Sequence, residues 1–108
     1  AYDQMFVEQA PAVLVFCANP LRTKRYGERG ASLYAVQDAT IAAAYAQLAA
    51  TALGLATVWV GAFDEDKTSQ ALRLPAGQRP LAIVPVGKAA ESPAATPRRS
   101  LDELVHRI

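Results

Sequence analysis

Tyr26 to Glu65 reads YGERGASLYAVQDATIAAAYAQLAATALGLATVWVGAFDE, and the order of residue types within it decides the fold. From Tyr34 to Leu53 the segment is rich in alanine, free of Gly and Pro, and apolar nearly all round. This predicts a long helix surrounded by other elements. Gly54 is its natural stop, because glycine readily takes the left-handed conformation that closes a helix. Leu55 to Val60 then shifts to β-branched and aromatic types and predicts a strand. Beyond it, Asp64 is placed to cap a short helix running through Leu72, with Glu65 and Asp66 in its first turn.

Working outward, Ala1 to Gln9 resembles the last turns of a helix that Pro11 ends. Ala12 to Ala18 is a continuous apolar run, as expected of a strand buried on both faces. Asn19 to Ser32 turns polar and basic, with Pro20, Gly27 and Gly30 as breakers and Arg22, Lys24, Arg25 and Arg29 as charges, and predicts a long exposed loop. Downstream, Leu74 to Pro80 is a loop feeding a third strand, Leu81 to Val86, which Gly87 closes; Pro85 points to the end or edge of a sheet. Ala89 to Pro97 forms a linker-like arm, and Ser100 to Glu103 has the form of a capping box opening a final helix. Strands separated by helical patterns imply an α/β or α+β layered fold, and the 108 residues suffice for one domain, residues 1–108, but not two.

Composition narrows the function classes. The net charge of +1, from 11 Lys and Arg against 10 Asp and Glu, is too balanced to direct the whole surface towards nucleic acid. One cysteine, Cys17, forms no internal disulfide, and with His106 as the single histidine no Cys/His zinc cluster is available, so a metal-free, cytoplasmic chain is expected. Ile41 to Val60 is interrupted by Gln47, Thr51, Gly54 and Thr57 and is weak as a membrane span. The start at Ala1, within an apparent helix, suggests a fragment or a processed chain.

The stretch from Tyr26 to Glu65 resembles the central signature of the FMN-dependent nitroreductase family. The pieces that carry the likeness are Asp38 at the start of the alanine-rich helix, Gln47 and Leu48 midway, Gly54 to Ala56, and WVGAF at Trp59 to Phe63. Gln9 to Ala18, Leu72 to Gly87 and Pro97 to Val105 resemble further family pieces in the same order, while Lys88 stands where members often place an aromatic residue followed by proline. The resemblance covers nearly all of the chain but about the second half of a typical member. It implies an α+β layered fold with a central sheet and a long buried helix, as an incomplete copy lacking the N-terminal segment that grips the flavin phosphate. It also implies a homodimer, or pairing with that missing half. The implied activity is transfer of hydride from NAD(P)H through FMN to nitroaromatics, quinones or similar small electron-poor acceptors in a ping-pong cycle. A second function class, a non-catalytic dimerisation or interaction module, is also compatible with a chain that has lost the phosphate-gripping half.

Because a flavin brings its own redox chemistry, no catalytic side chain is required. Gly61 and Ala62 match the family's flavin-edge position, where small residues allow backbone N–H groups to approach a flat ring; taken alone, they make a tight strand-to-helix turn. Arg98 and Arg99 precede the capping box and match the family's basic phosphate ligands; taken alone, such a dipeptide is a solvated pair on an arm. Trp59 is expected in the core or a subunit interface, and Cys17 as an inert buried thiol. Tyr34 and Gln37 open the long helix where they either touch substrate or only end the helix at a wet surface. The basic loop from Asn19 to Ser32 is either a lid or selector for the nicotinamide donor or a solvated face.

Overall fold

The sheet is built around the last of its three strands. The computed structural model describes residues 2 and 4–108, so the first and third residues of the expected opening helix lie outside the described residues. Helix α1 spans Met5–Gln9, strand β1 Ala12–Ala18, helix α2 Gly27–Arg29, helix α3 Ala35–Ala52, strand β2 Ala56–Thr57, helix α4 Glu65–Leu72, strand β3 Arg79–Gly87 and helix α5 Leu101–Leu104. The three strands are antiparallel in the order β1-β3-β2, giving an α+β fold.

Central β3 contains Pro85, which sequence alone assigned to an end or edge, and the register explains how it is tolerated. Ala56 pairs with Gly87, Thr57 with Val86 and Val60 with Ile83, so Pro85 falls opposite Val58. A residue in that place owes the ladder an N–H that proline lacks. Pairing accordingly lapses after Thr57 and resumes in both directions at Val60, whose N–H donates to the Ile83 carbonyl while the Ile83 N–H donates back. The strand expected over Leu55 to Val60 is thereby reduced to two residues and a bridge.

β1 has the expected boundaries but lies at the sheet edge, with Val13 39% and Leu14 42% exposed, rather than buried on both faces. Between Phe16 and Cys17 the register slips by one residue, and Leu81, left over by that slip, packs with Ala18, Ala35 and Ala39. Val60, Phe63 and Ile83 form a second cluster with Val7 and Val15. α3 packs along β1 and β3 through Ala35, Ala39, Ala43 and Ala50, whose small side chains allow close helix-sheet approach. The rest of its circumference is open in this chain, and Ile41, Tyr45 and Leu48 follow one another at helical spacing at 53%, 67% and 65% exposure.

Asn19 to Ser32 is not a loop. Pro20–Tyr26 forms 3-10 turns, Gly27–Arg29 an α-turn and Gly30–Tyr34 a π-turn that runs into α3. Pro20 sits in the first turn, where its missing N–H costs nothing, and the Asn19 side chain accepts from the Leu21 N–H at 3.2 Å. The buried Thr23 hydroxyl bonds to the Gly30 carbonyl at 2.8 Å and to the Pro20 carbonyl at 3.2 Å, folding the segment back on itself.

The arm after β3 is exposed throughout, and its final helix is a single turn. The expected capping box does not form there: the Ser100 side chain makes no cap bond, and the Glu103 N–H bonds instead to the Ser100 carbonyl at 3.2 Å. The radius of gyration, 16.4 Å, exceeds the roughly 13 Å of a compact chain of this length, consistent with an arm that stands off the body. No helix among the described residues is long and apolar enough to cross a membrane.

Candidate functional site

The turn after β2 is held from both sides. Val60 and Phe63 are buried in one cluster, 3% and 9% exposed, while Gly61 and Ala62 between them are exposed. Asp64 caps α4 by accepting from the Lys67 N–H at 2.9 Å, as its position in the sequence implied. Glu65 then receives two hydrogen bonds of 2.8 Å from the Arg79 guanidinium, tying the first turn of α4 to the start of β3. Among the described residues neither the Gly61 nor the Ala62 amide N–H has a hydrogen-bond partner. Two adjacent exposed donors thus stand without a protein partner on a backbone that burial and capping have already fixed, an arrangement suited to a ligand edge rich in acceptors.

The Arg79 hydrogen bonds hold the Glu65 carboxyl below its ordinary range; burial opposes them, and the positive charge of Arg79 adds to the lowering. A depressed folded value means that the contribution to stability is present above the unfolded pKa and is lost as pH falls through the folded one. Both side chains are largely exposed, at 57% and 44%, so the pair is worth at most about 1 kcal/mol. Arg79→Ala is expected to return the Glu65 carboxyl to the ordinary range in an NMR pH titration, with a loss of stability no greater than that.

Trp59, expected in the core or an interface, is 39% exposed, and its indole nitrogen lies 3.5 Å from where a Gly61 Cβ would stand. Tyr34 and Gln37 line a shallow depression with Val36, Asp38, Thr40 and Ile41. Cys17 is half-buried, and that burial pushes its thiol pKa up, away from thiolate character. His106 is exposed near the end of the chain, and no group of three metal-ligating side chains occurs among the described residues.

Among the described residues no hydrogen bond or ion pair joins Arg98 or Arg99 to this turn. The guanidinium of Arg98 bonds only within its own arm, to the Thr96 hydroxyl and to the Thr96 and Pro97 carbonyls. The groove at the base of the arm, about 710 Å³, is lined by α1, β2, the end of β3 and the first residues of the arm itself, and by none of Gly61, Ala62, Arg98 or Arg99. The two segments depart from opposite ends of the sheet. β2 delivers Gly61 at the end of the sheet where β3 begins, whereas the arm leaves from Gly87 at the opposite end. The cationic segment, named from sequence as either a lid or selector for the nicotinamide donor or a solvated face, gave no local signal of its place beside this turn. β1 runs parallel to β2 with β3 between them, so the 3-10 turns that follow Ala18 leave the sheet at the same end as Gly61.

Comparison with known proteins identifies relatives over most of the chain. The family model described as the nitroreductase family matches residues 1–88, which includes Gly61 and Ala62 and stops short of Arg98 and Arg99. A provisionally named nitroreductase of Methanocaldococcus jannaschii, MJ1384, is 41% identical over 92 residues, covering 84% of this chain and 45% of the relative. A Methanothermobacter thermautotrophicus protein, provisionally named NADH dehydrogenase/NAD(P)H nitroreductase, is 34% identical over 91 residues, covering 81% and 44%. Among solved structures, B. megaterium NfrA2 superposes with a TM-score of 0.86 at 29% identity, over 98% of this chain and 48% of that one. The chain thus spans about half the length of the relatives it matches.

Proposed function

The chain belongs to the nitroreductase family, and from that premise we propose that it forms part of an FMN-dependent NAD(P)H oxidoreductase acting on nitroaromatics, quinones or similar electron-poor acceptors. The observation that carries this reading is the pair of unpartnered amides on exposed Gly61 and Ala62, fixed between buried Val60 and Phe63. Such donors fit a flavin's N5/O4 edge, where negative charge gathers on reduction, and they need no reorganisation to meet it. When bound, FMN supplies the hydride exchange itself. Arg98 and Arg99 are the groups of this chain suited to its phosphate, through charge-assisted and bidentate hydrogen bonds. Since the arm stands off the body, those arginines reach a phosphate only when a second copy, or the remaining part of a full-length member, completes the site. The apolar stripe of Ile41, Tyr45 and Leu48 offers that companion a surface.

The test is to add FMN to the purified protein and record the visible spectrum. A flavin band that persists through gel filtration is expected, and Arg98→Gln with Arg99→Gln should weaken FMN binding by about tenfold or more. A preparation that stays colourless rejects the cofactor, and with it the activity.

A further inference from the structure

We infer that the segment from Pro20 to Tyr34 binds the phosphorylated adenosine end of the nicotinamide donor and selects NADPH over NADH; the inference rests on the oxidoreductase reading above. The segment holds Arg22, Lys24, Arg25 and Arg29, four of the 11 Lys and Arg in the chain, and Glu28, one of the 10 acids. Charge that is nearly balanced over the whole chain is therefore concentrated here. None of the four cations forms an ion pair among the described residues, and all four are exposed.

Their arrangement favours a planar phosphorylated ligand over a merely solvated face. The rings of Tyr26 and Tyr34 meet edge to face at 5.4 Å. The Arg25 guanidinium lies over Tyr26 at 4.7 Å and that of Arg29 over Tyr34 at 5.7 Å, while Arg29 Nε donates to the Tyr34 hydroxyl at 3.3 Å. A guanidinium stacked on a ring keeps its remaining N–H groups for bidentate bonds to phosphate, and stacking limits the side-chain entropy lost on binding. The aromatic surfaces beside them suit a purine. The backbone beneath is fixed rather than mobile, because the Thr23 hydroxyl is buried between the Pro20 and Gly30 carbonyls.

Position supplies the link to the reaction. This segment and the Gly61 turn leave the sheet at the same end, from strands with only β3 between them, a lateral separation of about 10 Å. A dinucleotide whose nicotinamide lies near the Gly61 turn can extend its adenosine phosphate along this end of the sheet towards the arginines. A 2′-phosphate, present in NADPH and absent from NADH, is the group four unpaired cations would distinguish.

Titration of the purified protein with adenosine 2′,5′-bisphosphate tests this without any flavin, and AMP is the control. Binding of the bisphosphate at least tenfold tighter than AMP is expected, with that margin lost in Arg25→Gln/Arg29→Gln and reduced in Arg22→Gln/Lys24→Gln; all four side chains are exposed, so neither pair threatens folding. Equal affinity for bisphosphate and AMP, or a margin that survives both double variants, overturns the inference. So does tighter binding of a single-stranded oligonucleotide that displaces the bisphosphate. FMN binding without bisphosphate binding removes this inference and leaves the oxidoreductase reading, whereas bisphosphate binding without FMN supports the anion site and removes its role in hydride transfer.

Discussion

Gly30→Ala is expected to destabilise the protein at or beyond the upper end of the roughly 1–3 kcal/mol usual for overpacking. An alanine Cβ there would lie 2.3 Å from the Thr23 carbonyl oxygen and 2.8 Å from Tyr26 Cβ. Neither neighbour is the end of a flexible side chain, so the backbone of the 3-10 segment would have to move. Conformational freedom is not the reason for glycine: its φ of −62° and ψ of −46° are ordinary helical values. Space is the reason, and Thr23 shows why the space is closed, since its hydroxyl donates to the Gly30 carbonyl at 2.8 Å. Thr23→Val, which keeps the shape and removes the donor, is expected to cost about 1–3 kcal/mol through lost and unsatisfied hydrogen bonding. Urea unfolding of both variants checks the argument, and a Gly30→Ala midpoint equal to wild type refutes it.

This corner marks the boundary of what the sequence discloses. Where one residue type acts on its immediate neighbours, reading the chain succeeded: Asp64 caps α4, and the apolar run from Ala12 to Ala18 is β1 to the residue. Gly30 and Pro20 carry the same local signature as residues that break helices, yet one sits at a close crossing and the other in a helical first turn. Only the tertiary bond from Thr23 separates these meanings. Pro85 taught the same lesson in the sheet, because its missing N–H falls where β2 leaves a gap. In the candidate site, the turn at Gly61 and Ala62 was legible as a turn because strand pairing ends at Val60 and Asp64 caps the next helix. The relation of Arg98 and Arg99 to that turn was not, since an extended arm carries no local signal of the surface it meets. The fully apolar β1 run lies at a sheet edge, a position that its composition alone did not signal.

Gly61→Leu is expected to produce the opposite phenotype from Gly30→Ala, a near-normal fold with severely impaired cofactor binding. A Cβ at Gly61 meets only the Trp59 ring, at 3.5 and 3.8 Å, which is ordinary van der Waals contact. Gly61 is also absent from the residues with positive φ, so a side chain brings no backbone strain. Being exposed, the position should change stability by no more than about 0.5 kcal/mol. A leucine side chain beside the Gly61 and Ala62 amides, however, occupies the space a flat ring needs in order to accept from them. Loss of donors of this kind costs roughly 100- to 1000-fold where charge develops during reaction, and steric exclusion should at least match it in NAD(P)H-dependent turnover. Thermal unfolding, FMN titration and turnover, measured on the same preparation, separate the two glycines. If Gly61→Leu binds FMN and turns over as wild type does, the unpartnered amides are only a turn, and the flavin must be held elsewhere.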